Sequence, residues 1–199
     1  MKIGIGVEGF SDKIFWDKVL PKFFRGVHFD VRNMKTKEKL IRETPRLFNS
    51  FQDARYDGAF IIIDRDKDPC VTAIVELFNA PMKTEAKKVR EKRFLFLCVA
   101  IRELEAWLLA DDQAIQKLLP KSKYVSPSET GDIGAEGKLK RIWQQQHGQI
   151  AFNKISFAKE IGVQFDPHRA MNHSFSFRYF WENIKGIINK RRQYRETEG

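Results

Sequence analysis

Along the first half of the chain, short β-branched apolar runs alternate with longer stretches whose apolar residues recur at helical spacing. Lys2–Val7 reads as a strand, and Ser11 or Asp12 is placed to cap a helix over Lys13–Leu20 that Pro21 stops. A second strand is expected over Val27–Val31. Lys37–Asp53 then carries Leu40, Ile41, Leu47, Phe48 and Phe51 at roughly the period of a helix. Ala59–Ile63 is an unbroken apolar run of the kind buried on both faces of a parallel sheet. Val71–Phe78 reads as a helix ended by Pro81, Phe94–Ile101 as another buried strand, and Leu104–Leu109 as the opening of a further helix. This βαβαβαβα rhythm predicts an α/β fold: a three-layer core over residues 1–111 with a mainly parallel four-stranded sheet and right-handed crossovers.

The pattern changes beyond it, and residues 112–199 are expected to form a mostly helical extension packed on the core. Pro120–Gly137 is rich in Pro, Gly, Ser and Lys and reads as a long surface loop. Short helices are expected at Lys138–Gln146 and Lys154–Ile161. Asp166, His168, Arg169 and His173 fall on an expected loop, where surface or capping roles are the default for the histidines. A stronger helix runs from Phe175 to about Arg192, with Phe177, Phe180, Trp181, Ile184, Ile187 and Ile188 forming an apolar stripe. That stripe reads as packing rather than as a platform for stacking bases.

Composition narrows the class. With 42% hydrophobic and 31% charged residues over 199 positions, a folded chain is expected. No apolar run approaches the ~18 residues of a membrane span, and the N-terminus lacks a signal-peptide pattern. Cys70 and Cys98 form no pair motif and no zinc spacing exists, so a cytoplasmic protein without disulfides is expected. The formal charge of +10 points to a polyanionic partner, nucleic acid above all. Basic residues concentrate in Lys83–Arg93 and in Lys185–Arg195, the latter with Lys185, Lys190, Arg191 and Arg192.

Acids, by contrast, gather where strands should end: Glu8 after the first, Asp64, Asp66 and Asp68 after the third, Glu103 and Glu105 after the fourth. The carboxyl ends of parallel strands form one rim, where ligands bind. Residues two apart in an extended segment face the same way, so Asp64 and Asp66 are expected to converge. Crowded carboxylates repel unless a cation lies among them, and hard divalent ions prefer oxygen. Magnesium is the natural candidate, with manganese as a substitute. Gly9, Ser11 and the following helix start are candidates for offering backbone N–H groups to a phosphate, and Arg65 and Lys67 for phosphate contact. Glu103 and Glu105 also suit the first turn of a helix, in which case at most one joins the site. Gly4-Ile5-Gly6-Val7-Glu8-Gly9 fits a dinucleotide fingerprint in letters, but a glycine turn there would shrink the preceding strand to Met1–Ile3. Tyr56, Tyr124, Tyr179 and Tyr194 are read as structural, because a tyrosine-driven DNA gate needs a far larger protein.

Val7-Glu8-Gly9-Phe10-Ser11-Asp12, followed some fifty residues later by Ile63-Asp64-Arg65-Asp66-Lys67-Asp68, resembles the Toprim superfamily. Ile101-Arg102-Glu103-Leu104-Glu105-Ala106-Trp107-Leu108-Leu109-Ala110-Asp111 and the late Ser174-Phe175-Ser176-Phe177-Arg178 further resemble domain of unknown function 4276, a small Toprim-like family related to overcoming-lysogenization-defect nucleases. The resemblance implies a magnesium site in which Glu8 is the first-strand acid, Asp64 and Asp66 the metal-binding pair, Asp68 a third member and Glu103 or Glu105 an added acid. It implies a magnesium-dependent phosphodiesterase, a nuclease acting on DNA or RNA, with a partner ATPase encoded nearby and a defence or toxin role. The competing expectation is a non-catalytic nucleic-acid-binding or regulatory subunit of an ATPase complex.

Overall fold

The computed structural model describes residues 1–85, 95–127 and 134–197, so most of the basic segment Lys83–Arg93 lies outside the described residues. The order is β1 (Lys2–Val7), α1 (Phe10–Phe23), β2 (His28–Asn33), α2 (Lys37–Asp53), β3 (Gly58–Asp64), α3 (Val71–Glu85) and β4 (Leu95–Ala100). Then come α4 (Leu104–Leu109), α5 (Asp112–Leu118), a 3₁₀ turn (Pro120–Ser122), α6 (Ala135–His147), α7 (Lys154–Gln164), α8 (Pro167–His173) and α9 (Phe175–Thr197). The four strands are all parallel in the order β2-β1-β3-β4.

Alternation along the strands sorts side chains to two faces. Phe60 and Ile62 of β3 join Ile3 and Ile5 of β1 under α1 and α9, whereas Ala59, Ile61 and Ile63 face α2 and α3. The sheet is therefore a middle layer between helices. The stripe on α9 is buried as packing: Phe177, Phe180 and Ile184 are inaccessible. It meets Trp16 of α1 and Trp107 of α4 in an aromatic layer. Trp16 stacks on Phe177 with centroids 6.3 Å apart, and Trp107 on Phe180 at 5.7 Å. The extension and the sheet thus share one continuous core.

The Gly-x-Gly string lies inside β1, where it serves packing. A Cβ on Gly4 would sit 2.5 Å from the Phe51 ring of α2, and one on Gly6 would sit 2.7 Å from Leu47. The glycines let α2 lie close against the sheet. Gly4→Ala is expected to cost about 1–3 kcal/mol through overpacking, measured by chemical denaturation.

Several boundaries differ from the sequence pattern. Helix α1 starts at Phe10, because Gly9 is its N-cap and the Asp12 carboxylate accepts the Gly9 N–H at 2.8 Å. Pro21 and Pro81 lie inside α1 and α3, within about a turn of their ends, where one missing donor does not stop the helix. The region expected as a loop around His168 is helix α8: Asp166 caps it by accepting the His168 N–H at 2.8 Å, and Pro167 opens it. Likewise Asp111 caps α5 through the Ala114 N–H at 3.1 Å.

Candidate functional site

From β1 the chain moves outward to β2, then returns past β1 to β3, so the crevice between the carboxyl ends of β1 and β3 is the switch point of the sheet. Glu8 follows β1 and Asp64 ends β3. The Asp64 N–H donates to Glu8 Oε1 at 2.7 Å, which ties the two acids together across the crevice. Burial pushes the Glu8 carboxyl up to about 7, against the opposing pull of that N–H; Asp66 and Asp12 raise it further and Lys37 lowers it. Asp64 is held well above the usual carboxylate range, first by burial and then by the charges of Glu8, Glu105, Asp12 and Asp66. Among the described residues no cation or hydrogen-bond donor pairs with its carboxylate.

Asp66 and Asp68 arrive differently from the expected extended pairing. The strand ends at Asp64, and Asp66 takes a left-handed conformation with φ of 49° while its N–H donates to Arg102 O at 2.7 Å. Asp64 and Asp66 therefore do not converge by strand alternation. Instead the Lys37 ammonium holds Asp66 Oδ2 at 3.1 Å and Asp68 Oδ2 at 2.7 Å.

Glu103 and Glu105 part at the start of α4. The Glu103 carboxylate accepts the Glu136 N–H at 2.8 Å and so satisfies the opening of α6. Glu105 turns inward, is buried, and pairs with Lys154, the first residue of α7. Burial raises the Glu105 carboxyl, and Lys154 offsets part of that rise. Of the two, Glu105 is the acid whose charge is felt by Asp64.

Three contributors escaped the sequence reading: Asp12, buried in the first turn of α1, and the lysines Lys37 and Lys154. An acid three residues after Gly9 reads as a helix start, and a lysine opening a helix reads as surface, so neither carries a signal in one dimension.

The donor set consists of hard carboxylate oxygens and matches the chemistry of a hard divalent cation. The desolvated, uncompensated Asp64 beside Glu8 is the place such an ion would neutralise charge. Among the described residues no three His, Cys, Asp or Glu side chains are already gathered as a metal-holding group. The pair Glu8–Asp64 fits the ion by charge and chemistry, whereas Asp66, Asp68 and Glu105 already have lysine partners.

Two groups of phosphate candidates have partners or positions that the sequence does not show. The Gly9 N–H and the Ser11 hydroxyl both donate to Asp12, whose carboxylate fills the anion position at the start of α1 and would repel a phosphate. The basic end of α9 lies at the opposite rim: Arg191 pairs with Asp57 just before β3, and Arg192 reaches Arg25 O just before β2. Ser176, near the start of α9, accepts the Ile101 N–H at the carboxyl end of β4, about fifteen residues and ~22 Å of helix away. Lys185, Lys190, Arg191 and Arg192 are therefore not part of the acidic rim. Lys67 is, lining with Lys37, Arg42 and Arg102 an open groove of about 1010 Å³ beside the acids. Arg65 is half-buried, with its Nε enclosed and unpartnered among the described residues.

The two late sequence strings meet in space. Trp107 Nε1 donates to Ser176 Oγ at 2.7 Å, and the Ser174 hydroxyl accepts the Phe177 N–H at 3.1 Å to start α9. The family model described as Domain of unknown function (DUF4276) matches residues 7–185, a span that holds the acids and both strings. The chain belongs to the DUF4276 family. No curated protein and no solved structure matches it. In this DUF4276 chain the two strings are first of all architectural, since the Trp107–Ser176 bond ties α4 to α9 and Asp111 ties α5 to α8, while Glu105 turns toward the acids. Among the described residues of the chain, no helix is long and apolar enough to cross a membrane.

Proposed function

We propose that this chain is a magnesium-dependent phosphodiesterase with a Toprim-like core, a nuclease that cleaves DNA or RNA with water. The observation that carries the reading is the pair Glu8 and Asp64 at the switch point, half-buried, mutually repelling and without a cation partner for Asp64 among the described residues. Burying an unpaired charge is costly, and such arrangements concentrate at functional sites. Glu8 and Asp64 would hold the ion, and Glu105 and Asp12 add negative field from behind. When bound, magnesium supplies neutralisation of a phosphodiester oxygen and activation of water. Lys67, Arg42 and Arg102 along the groove attract and orient the sugar–phosphate chain, which makes binding fall steeply with salt. A partner ATPase and a role in defence rest on the family resemblance.

The test is cleavage of labelled DNA and RNA by the purified chain, alone and with any ATPase encoded beside it, during magnesium or manganese titration. Metal-dependent products that vanish in Glu8→Gln and Asp64→Asn are expected. Absence of any cleavage that these substitutions abolish overturns the reading. One observation favours the second reading, a non-catalytic nucleic-acid-binding or regulatory subunit: Lys37 and Lys154 already neutralise Asp66, Asp68 and Glu105. Under it, nucleic acid binds without metal and remains intact.

A further inference from the structure

Lys37 is the first residue of α2, where the helix dipole disfavours a cation. Its side chain is nevertheless only 16% exposed. What compensates is a cage of four oxygens. The ammonium lies 2.5 Å from Asp64 O, 3.3 Å from Arg65 O, 3.1 Å from Asp66 Oδ2 and 2.7 Å from Asp68 Oδ2. An ammonium has three protons to donate, so four oxygens exceed what its hydrogen bonds require. Two carboxylates and two carbonyls aimed at one point are the donor set of a hard cation. The loop that provides them turns sharply, with Asp66 in the left-handed region and its N–H donating to Arg102 O, itself at φ of 79°.

We propose that Lys37 is a tethered cation: its ammonium fills one of two cation positions on this rim, so that the chain takes a single free divalent ion, at Glu8 and Asp64. The inference rests on the metal reading above and specifies it. Two-metal phosphodiester sites place ions about 3.5–4 Å apart on either side of the reacting group. Here the Asp64 backbone carbonyl accepts from Lys37 and its N–H donates to Glu8, while the Asp64 carboxylate feels the Glu8 charge most strongly and has no lysine partner among the described residues. Asp66 and Asp68 then act as positioning residues that seat Lys37 rather than as metal ligands. The lysine gives a fixed charge that no chelator removes.

The experiment counts bound manganese by calorimetric titration and by electron paramagnetic resonance in the full chain, in Lys37→Met and in Lys37→Arg, with near-ultraviolet circular dichroism to verify folding. One ion is expected in the unsubstituted chain, two in Lys37→Met, and one again in Lys37→Arg. Two ions in the unsubstituted chain, or an unchanged single site in Lys37→Met, overturn the proposal. If the unsubstituted chain binds none and Lys37→Met binds one, the tethered cation stands and the Glu8–Asp64 metal reading falls; if neither binds, both fall. A second measurement needs no variant. Reductive methylation of the Lys37 amine is expected to be slower than that of exposed Lys35, and equally slow with and without saturating manganese. Manganese that speeds methylation of Lys37 would mean that the ion displaces it, and the proposal fails.

Discussion

Asp64→Asn is expected to lower metal-dependent cleavage by ~10³-fold or more while making the metal-free chain more stable at pH 8. The two effects have one cause. In the folded chain the Asp64 carboxylate is desolvated and faces Glu8, Glu105, Asp12 and Asp66, so its charge opposes folding until a cation offsets it. Glu8 provides the pH signature. Its folded value is about 7, above the 4.5 of a solvent-exposed glutamate in the unfolded chain, so between those values the folded state binds more protons than the unfolded state. Stability is then fully present below about pH 4.5 and is lost as pH rises toward 7, by up to about 3 kcal/mol before solvent screening reduces it. Glu8→Gln should flatten that part of the profile. The check is denaturant unfolding from pH 4.5 to 8, on the same preparations used for cleavage. A chain whose stability rises through this window, or an Asp64→Asn variant that is less stable and still cleaves, contradicts the assignment.

Asp111→Ala should be the most destabilising single change, by about 3 kcal/mol or more. The side chain is inaccessible and serves four donors. Arg169 grips it in a fork, Nε to Oδ1 at 2.6 Å and Nη2 to Oδ2 at 2.8 Å. The Ala114 and Asp166 N–H groups complete the set at 3.1 and 2.7 Å. Removing the carboxylate uncaps α5, frees the N-cap residue of α8, and leaves Arg169 without its fork. Asp111→Asn keeps part of the hydrogen bonding and should fall between the two. Thermal or urea unfolding of the three proteins measures this; equal midpoints would show that the hub carries little of the fold.

Strand and helix order was legible because each βα unit repeats its own period. The run Ala59–Ile63 announces a doubly buried strand, and the spacing from Leu40 to Phe51 announces α2 across its internal Pro45. The gathering of acids on one rim was legible too, since parallel strands place their ends together. What a linear reading lacks is the partner of each charge. Lys37 lies twenty-seven residues before Asp64 and Lys154 forty-nine after Glu105, so their neutralising roles exist only after folding. The short helices α5 and α8 were hidden because seven residues hold too little periodicity; their capping aspartates and Pro167 were the available signal. Basic residues on α9 were legible as a cluster but not as a location, because the helix carries them to the far end of the strands.

The shared aromatic layer has a consequence for anyone wishing to transplant the acidic half. Trp16 and Phe60 come from early in the chain, Phe177 and Trp181 from late in it, and Trp107 from the middle. Severing the chain near residue 111 would strip one side of the sheet and bare a greasy wall of rings and aliphatic chains. Such a fragment would clump rather than fold, so this scaffold travels between architectures only as a whole.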